Sequence, residues 1–316
     1  MRPCQSDKPW LVVVNPNSGK KKGAKDWDKI SKLLDQNFKY KAIFTERRGH
    51  AISIVKKKIL EGTRNIIVAG GDGTMNEVVN AVFTQNKVPT DKITLGIITI
   101  GTGNDWGRMF GIPASYKESI ETIKKCKTFI QDAGIVRYYD GEIRKERYFI
   151  NIAGLGFDAL VAKKINAQKD LGKSGKLLYI ANLLSNLWQY RHLHTNIKID
   201  DKEFKDEIFT VSIGIGVYSG GGMKQTPHSI PNDGLFDLTI IKKMRKMGVI
   251  KSIPLLYNGK ILGHPKVVSF RGAKINIECD PPIHLEADGE NLGHSPIEIE
   301  IIPKSIRVIT GDHPYS

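Results

Sequence analysis

The hydrophobic pattern changes character near residue 130. Before it, short β-branched runs alternate with segments at helical spacing. Trp10 to Asn15 is a compact apolar run ending in Pro-Asn-Ser-Gly, which predicts a buried strand and a loop. Ile30, Leu33 and Leu34 lie three and four apart, as on one helix face. Tyr40–Phe44 predicts a second strand, and Ile52, Val55, Ile59 and Leu60 a second helix. Arg64–Ala69 predicts a third strand running into Gly70-Gly71, followed by a helix from Met75 to about Phe83 and a fourth strand over Leu95–Ile100. Such alternation implies a parallel sheet covered by helices, with ligands at the carboxyl ends of the strands.

Beyond Thr128 the pattern is one of short runs rich in β-branched and aromatic residues. They cover Arg147–Ile152, Thr195–Ile199, Phe209–Val217, Leu235–Ile241, Lys266–Phe270, Ala273–Cys279, Ile297–Ile301 and Ser305–Ile309. Gly, Pro, Asn and Asp punctuate them, as in an antiparallel sheet or sandwich. Helical interruptions are expected at Ala159–Ile165, Lys176–Trp188 and Met247–Leu256. The expected architecture is an α/β N-terminal domain with a parallel sheet (residues 1–130). A mainly antiparallel β C-terminal domain follows (131–316), with a tail that can pack back on the first.

A chain of 316 residues exceeds the ~250 at which single cores stop growing, which supports two domains. Apolar residues at 40% and charged residues at 26% argue against a disordered or fibrous chain. No apolar run approaches the ~20 residues needed to cross a bilayer, and Met1–Lys8 lacks the apolar stretch of a secretion signal. The odd count of cysteines, Cys4, Cys126 and Cys279, with no Cys-x-x-Cys pair, predicts neither a disulfide framework nor a zinc scaffold and points to a reducing cytoplasm. The eight histidines form no ligand-spaced cluster; His192 and His194 read as surface residues, and Trp106 and Trp188 as core or interface.

Charge narrows the partners. Lys and Arg number 48 against 33 Asp and Glu, a net +15 that favours polyanions. Nucleic acid, an anionic membrane surface and a nucleotide polyphosphate all suit that field. The basic clusters at Lys20-Lys21-Lys22, Lys56-Lys57-Lys58, Lys163-Lys164 and Lys242 to Lys246 carry no nucleic-acid motif, so nucleic acid is set aside. Any single cluster is ordinarily a solvated face.

The segment with the clearest chemistry is Gly70-Gly71-Asp72-Gly73-Thr74-Met75-Asn76-Glu77, between the third strand and the helix after it. Glycines let the backbone turn tightly and approach a ligand, and a helix start offers unpaired N–H groups to phosphate. Thr74 and Glu77 have capping-box spacing, which gives Glu77 a structural role. Asp72 has no such explanation, and a carboxylate among glycines at a phosphate-binding turn suits a metal ion or its waters. Asp288-Gly289, at the end of a strand alternating Ile283, Leu285, Ala287 with His284, Glu286, Asp288, is a hairpin-turn signal.

Taken together, these segments resemble the diacylglycerol-kinase catalytic-domain family, shared with sphingosine and ceramide kinases and more distantly with NAD kinases and phosphofructokinases. The bacterial soluble lipid kinases are the most similar branch. Besides Gly70–Thr74, the matching segments are Val14–Lys20, Gly101-Thr102-Gly103-Asn104-Asp105, Phe149–Asn151 with Gly154–Ala159, Gly220–Met223, Asn232–Asp237 and Asp288-Gly289-Glu290. Two departures stand out. Thr99-Ile100-Gly101-Thr102 stands where the family usually has a Pro-x-Gly-Thr turn, and Asn232 precedes Asp233 where it often has paired aspartates.

The resemblance implies an ATP-dependent lipid kinase using Mg²⁺, with diacylglycerol the leading acceptor. It implies that Asn15, Pro16, Asn17, Ser18, Gly19, Thr45, Gly71, Asp72, Gly73, Thr74, Met75, Asn76, Glu77 and Thr102 line the nucleotide. Asp288 would be the general base, with Glu290 beside it. A structural Mg²⁺ would be held by Asp233 and the carbonyls of Ile230 and Leu235, linked through water towards Asp72 and Asp105. It further implies transient contact with an anionic membrane from the cytoplasm, and an exposed sheet edge could pair two subunits as a homodimer. Two rivals are an NAD-kinase-like or sphingoid-base kinase and a non-catalytic nucleotide-binding module; retention of Asp72, Asp105, Asp233 and Asp288 opposes the latter. A P-loop fails because Val14 stands where its first glycine belongs. The isolated Gly154-x-Gly156-x-x-Ala159 lacks the acidic residue of a dinucleotide site.

Overall fold

The computed structural model describes residues 4, 8–170, 185–188 and 190–315, without the side chains of 165–170. It divides into two compact units, one of residues 1–132 and 304–316, the other of 133–303.

The first unit is built on parallel strands β1 (Trp10–Val14), β2 (Tyr40–Phe44), β3 (Asn65–Gly70) and β4 (Thr94–Thr99), in the spatial order β4-β3-β1-β2. β1, β3 and β4 are buried throughout, as expected of strands covered on both faces. Arg307 and Val308, late in β16 (Glu290–Ile309), add to β4 in parallel. Val12, Val14, Ile67, Ala69 and Ile98 meet Ile30 and Leu34 of α2 (Trp27–Asp35) and Ile120 and Ile123 of α6 (Tyr116–Lys125). Helix α3 (His50–Leu60) packs beside α4 (Asp72–Thr84).

Three short elements escaped the periodic pattern. α1 (Ser18–Lys25) is interrupted by Gly19, Lys20 and Lys21, all left-handed, with φ of 60°, 61° and 67°. α5 (Asp105–Met109) is only five residues long, and α6 is mostly polar outside its buried stripe. The cysteine expectation is corrected. Cys4 is disulfide-bonded to Cys126, with Cα atoms 6.3 Å apart and a sequence separation of 122, leaving Cys279 free. An odd count allows one pair, and a long-range bridge needs no spacing motif. The cysteines therefore no longer argue for a reducing compartment.

The second unit is antiparallel. Pairing runs β9 (Lys202–Gly214), β7 (Ile152–Gly156), β15 (His284–Ala287), β16, β14 (Lys274–Cys279), β8 (Leu193–Ile199) and back to β9, a closed circuit. β12 (Phe236–Lys242) and β13 (Val267–Gly272) extend from β9, and β5 (Thr128–Asp140) forms a hairpin with β6 (Ile143–Phe149). The core includes Phe149, Leu155, Ile197, Val211, Phe236, Ile277, Leu285 and Ile299. The remaining strand pair, β10 (Tyr218–Ser219) and β11 (Met223–Lys224), is short. Helices α7 (Phe157–Asp170) and α8 (Lys246–Asn258) are present, while the helix expected over Lys176–Trp188 lies outside the described residues apart from its last four.

Three strand expectations change. Arg147–Ile152 is not one strand, because the chain breaks at Ile150-Asn151, whose N–H groups turn to a carboxylate instead of a ladder. Ile297–Ile301 and Ser305–Ile309 belong to one long strand, β16. β5 was invisible because its buried Gln131 and Asp132 break the apolar pattern. Both are satisfied, Gln131 by the Trp106 indole N–H at 3.0 Å and Asp132 by the Lys304 N–H at 2.6 Å.

Candidate functional site

In the first unit, the carboxyl ends of β1, β3 and β4 carry the loops singled out by sequence. The Gly70 carbonyl accepts Ile100 N–H at 2.8 Å, tying β3 to the loop after β4. Asn15, after β1, donates Nδ2 to Thr74 Oγ1 at 2.9 Å and accepts Asn17 N–H at 3.0 Å. The first loop and the glycine turn are thus joined by a side-chain bond. Gly71 and Gly101 meet backbone to backbone: a Cβ on Gly101 would lie 2.7 Å from Gly71 Cα. Gly19 needs its glycine twice over, being left-handed and placed so that a Cβ would sit 2.1 Å from the Ile100 carbonyl oxygen. Thr45 is buried at the end of β2, its N–H bonded to Val14. Thr102 is exposed, whereas Met75 and Asn76 point into the fold, so a ligand would meet only their backbone.

The capping-box expectation is corrected. Helix α4 begins at Asp72 with Gly71 as N-cap, and Glu77 reaches to another helix. Its Oε1 accepts Gly49 N–H at 2.7 Å and its Oε2 accepts Ala51 N–H at 3.1 Å, capping α3 with a carboxylate at the positive end of the dipole.

Asp72 does the same for α5. Its two oxygens accept Asp105 N–H at 3.3 Å and Trp106 N–H at 3.2 Å. A methyl carbon placed on Gly103 would lie 3.2 Å from Asp72 Oδ2 and 3.3 Å from Asp105 Oδ2. The two carboxylates therefore face one point in space that a side chain would fill. Arg108 pairs with the other oxygen of Asp105. Two oxygen donors beside a glycine-rich turn fit Mg²⁺, which binds through one or two carboxylates plus substrate phosphates and keeps several waters.

In the second unit, Asp288 and Gly289 form the two-residue turn between β15 and β16, both left-handed at φ 50° and 80°. That is the hairpin read from Asp-Gly. The Asp288 carboxylate accepts Ile150 N–H at 3.1 Å on Oδ2, and Asn151 and Ile152 N–H at 3.0 and 3.3 Å on Oδ1. Three amide donors fix the direction of the carboxylate. Glu290 opens β16, opposite Ala287 in register.

Sequence reasoning missed the buried acids next door. Glu286 is not on a solvent-facing polar face; it is 4% exposed and accepts Gly289 N–H at 2.8 Å, so it braces the Asp288 turn. Glu286 and Asp158 both flank Gly154. Burial pushes Asp158 up to about 6, against hydrogen bonds from Thr210, Ser212 and Gln225, and raises Glu286 well above the usual range. Asp158 borders a narrow cavity of about 40 Å³ whose apolar lining includes Phe157, Phe209, Val249, Leu256 and Ile261. A folded-state carboxyl raised above its unfolded value stabilises fully below the unfolded value, and that contribution is lost as pH rises through about 6. Stability should therefore fall by about 2 kcal/mol between pH 4 and 7 on account of Asp158. Asp158→Asn should flatten that fall, and thermal unfolding of both proteins across this range checks it.

Asp233, Ile230 and Leu235 lie together ahead of β12. Asp233 Oδ1 accepts Leu235 N–H at 3.1 Å, and its Oδ2 is paired with the Arg271 guanidinium. Among the described residues, no group of three or more His, Cys, Asp or Glu is placed to hold a metal ion. Among them, too, no helix is long and apolar enough to cross a membrane.

Residues 9–136 match the model of the diacylglycerol kinase catalytic domain, and residues 151–310 that of the YegS C-terminal NAD kinase beta sandwich-like domain. A protein of Bacillus subtilis named diacylglycerol kinase is 31% identical over 301 residues, covering 94% of this chain and 95% of that one. One of Staphylococcus carnosus, with the same name, is 28% identical over 300 residues, covering 95% and 94%. Among solved structures, a diacylglycerol kinase from Bacillus anthracis superposes with a TM-score of 0.71 at 22% identity, over 97% of this chain and 98% of that one. Yeast NADH kinase does so with a TM-score of 0.56 at 12% identity, over 98% and 86%. At those identities the structural likeness is one of fold, and it bears out the expected α/β and antiparallel β architecture.

Proposed function

The chain belongs to the diacylglycerol kinase family, and from that premise we propose that it phosphorylates diacylglycerol to phosphatidic acid with Mg·ATP. That it is a lipid kinase follows from the family; the acceptor is the finer step. The observation that carries the reading is the Gly71–Gly101 approach beside two carboxylates facing one point. Such a turn gives phosphate close access to backbone N–H groups, and the carboxylates suit the cation that travels with ATP. Asn15 to Gly19, Thr45, Gly71 to Glu77 and Thr102 are the proposed nucleotide contacts, and Asp72 and Asp105 would hold Mg²⁺, which supplies charge neutralisation at the phosphates. The lipid hydroxyl oxygen forms a bond to the γ-phosphorus, the bond to the β,γ-bridging oxygen breaks, and the hydroxyl proton passes to Asp288.

The apolar cavity beside Asp158 is the proposed place of an acyl chain. It is narrow, and α8, of which only Val249 and Ser252 are buried, is the element that would yield to widen it. The net charge of +15 gives the enzyme a reason to visit an anionic surface. Each engaged Lys or Arg contributes ~1 kcal/mol, so four or five give ~4–5 kcal/mol, enough for transient docking.

The test is incubation with γ-labelled ATP, Mg²⁺ and vesicles carrying diacylglycerol, phosphatidylglycerol or a sphingoid base, at low and high salt, with NAD in a parallel tube. Label in phosphatidic acid, diminishing as salt rises, is expected. Label in another product with none in phosphatidic acid would replace the acceptor.

A further inference from the structure

Arg271 lies on β13, opposite Asp237 of β12 in the antiparallel register. Its Nε is 3.3 Å from Asp237 Oδ1, and its Nη2 donates to Asp233 Oδ2. One guanidinium thus bridges the two carboxylates of this corner, and the side chains of Asp233 and Asp237 are only 23% and 12% exposed. The other oxygen of Asp233 accepts Leu235 N–H at 3.1 Å. The neighbouring position, where a second aspartate would add charge, is Asn232.

The donor set does not fit the structural Mg²⁺ that the family resemblance implies for Asp233, Ile230 and Leu235. Two carboxylates and one guanidinium carry a single net negative charge. A divalent cation added to them would leave a net positive corner, with the guanidinium and the metal competing for the same oxygens. A fixed planar fork matches two carboxylates held at this spacing, and it is charged at every working pH.

We propose that Arg271 is the built-in counter-ion of this corner and takes the place of a metal ion, so that the β12–β13 edge holds its shape without divalent cation. Asn232 and Arg271 form one exchange: a negative charge is lost and a permanent positive charge is gained. The corner then needs no metal loading.

The experiment uses the full-length protein without nucleotide. Mg²⁺ bound by Asp72→Asn/Asp105→Asn protein, in which the other carboxylate pair is neutralised, is counted by equilibrium dialysis at millimolar Mg²⁺. No bound ion is expected; one ion per chain, lost again when Asp233→Asn is added, would overturn the proposal. Thermal unfolding gives a second arm. Arg271→Met should lower the midpoint by about 3–6 °C, and millimolar Mg²⁺ or Ca²⁺ should restore part of that loss through the freed carboxylates. Arg271→Lys, which keeps the charge, should lie between them. If the wild-type midpoint rises with Mg²⁺ and Asp233→Asn abolishes that rise, the corner is a metal site and Arg271 only its neighbour.

Discussion

Asp288→Asn is expected to lower lipid phosphorylation by about 10²–10⁴-fold, the usual contribution of a general base, while leaving ATP affinity nearly unchanged. The left-handed backbone at Asp288 suits Asn as well as Asp, so the turn itself should survive. The carboxylate contacts will not survive intact. An asparagine oxygen in the place of Oδ1 can keep Asn151 and Ile152 N–H, but its NH₂ group would then face the Ile150 N–H, donor against donor. An unpaired amide of this kind costs about 1–3 kcal/mol. The variant should therefore show two separable effects, a modest fall in unfolding midpoint and a much larger fall in turnover. Single-turnover kinetics at saturating ATP, together with calorimetric ATP titration, separates them. Wild-type turnover would remove Asp288 from the chemistry, and a loss of ATP affinity as large as the loss of turnover would make its role structural.

The parallel sheet of the first unit was legible because β1, β3 and β4 are buried on both faces, so each is a continuous apolar run bounded by turn residues. The antiparallel half was legible as texture but not as boundaries. Strand breaks there depend on where backbone N–H groups find partners, and the break at Ile150-Asn151 is made by Asp288, more than a hundred residues away. β5 was lost for the opposite reason, since its buried polar residues have distant partners that no local pattern reveals.

The site was legible where glycine is compulsory. Gly19, Gly71 and Gly101 mark close approach of backbone to backbone, and a run of glycines with an acid among them is visible in one dimension. The contact of Asp72 with the Asp105 N–H joins two segments that the sequence shows apart, and Glu77 looked like a local cap and instead caps α3. Glu286, Asp158 and Arg271 were missed. An alternating strand pattern assigns Glu286 to the solvent face, and only the packing against Gly154 shows it buried. Arg271 meets Asp237 through the register of β13 on β12, which the sequence does not state, and from there its guanidinium also reaches Asp233.

Gly101→Ala should damage the nucleotide turn with a single methyl. The new Cβ would lie 2.7 Å from Gly71 Cα and 2.8 Å from Asn104 Oδ1, closer than carbon approaches either. Neither side can retreat easily: Gly71 is fixed between β3 and α4, and the Gly70 carbonyl holds Ile100 N–H at 2.8 Å. Overpacking of this kind costs about 1–3 kcal/mol of stability. Function should suffer more than stability, because relief requires parting the loop that carries Gly103 and Asp105 from the turn that carries Asp72. Mg·ATP affinity should fall by about 10²-fold, in line with misplacing a binding group by about 1 Å. Gly71→Ala, whose Cβ would lie 3.0 Å from Gly101 Cα, should be milder in both respects. Gly263→Ala is the control, since a Cβ there meets nothing within 4 Å. Calorimetric titration with Mg·ATP and thermal unfolding of the three variants would test the ranking; Gly101→Ala protein that binds ATP as the wild type does would mean that phosphate is held elsewhere.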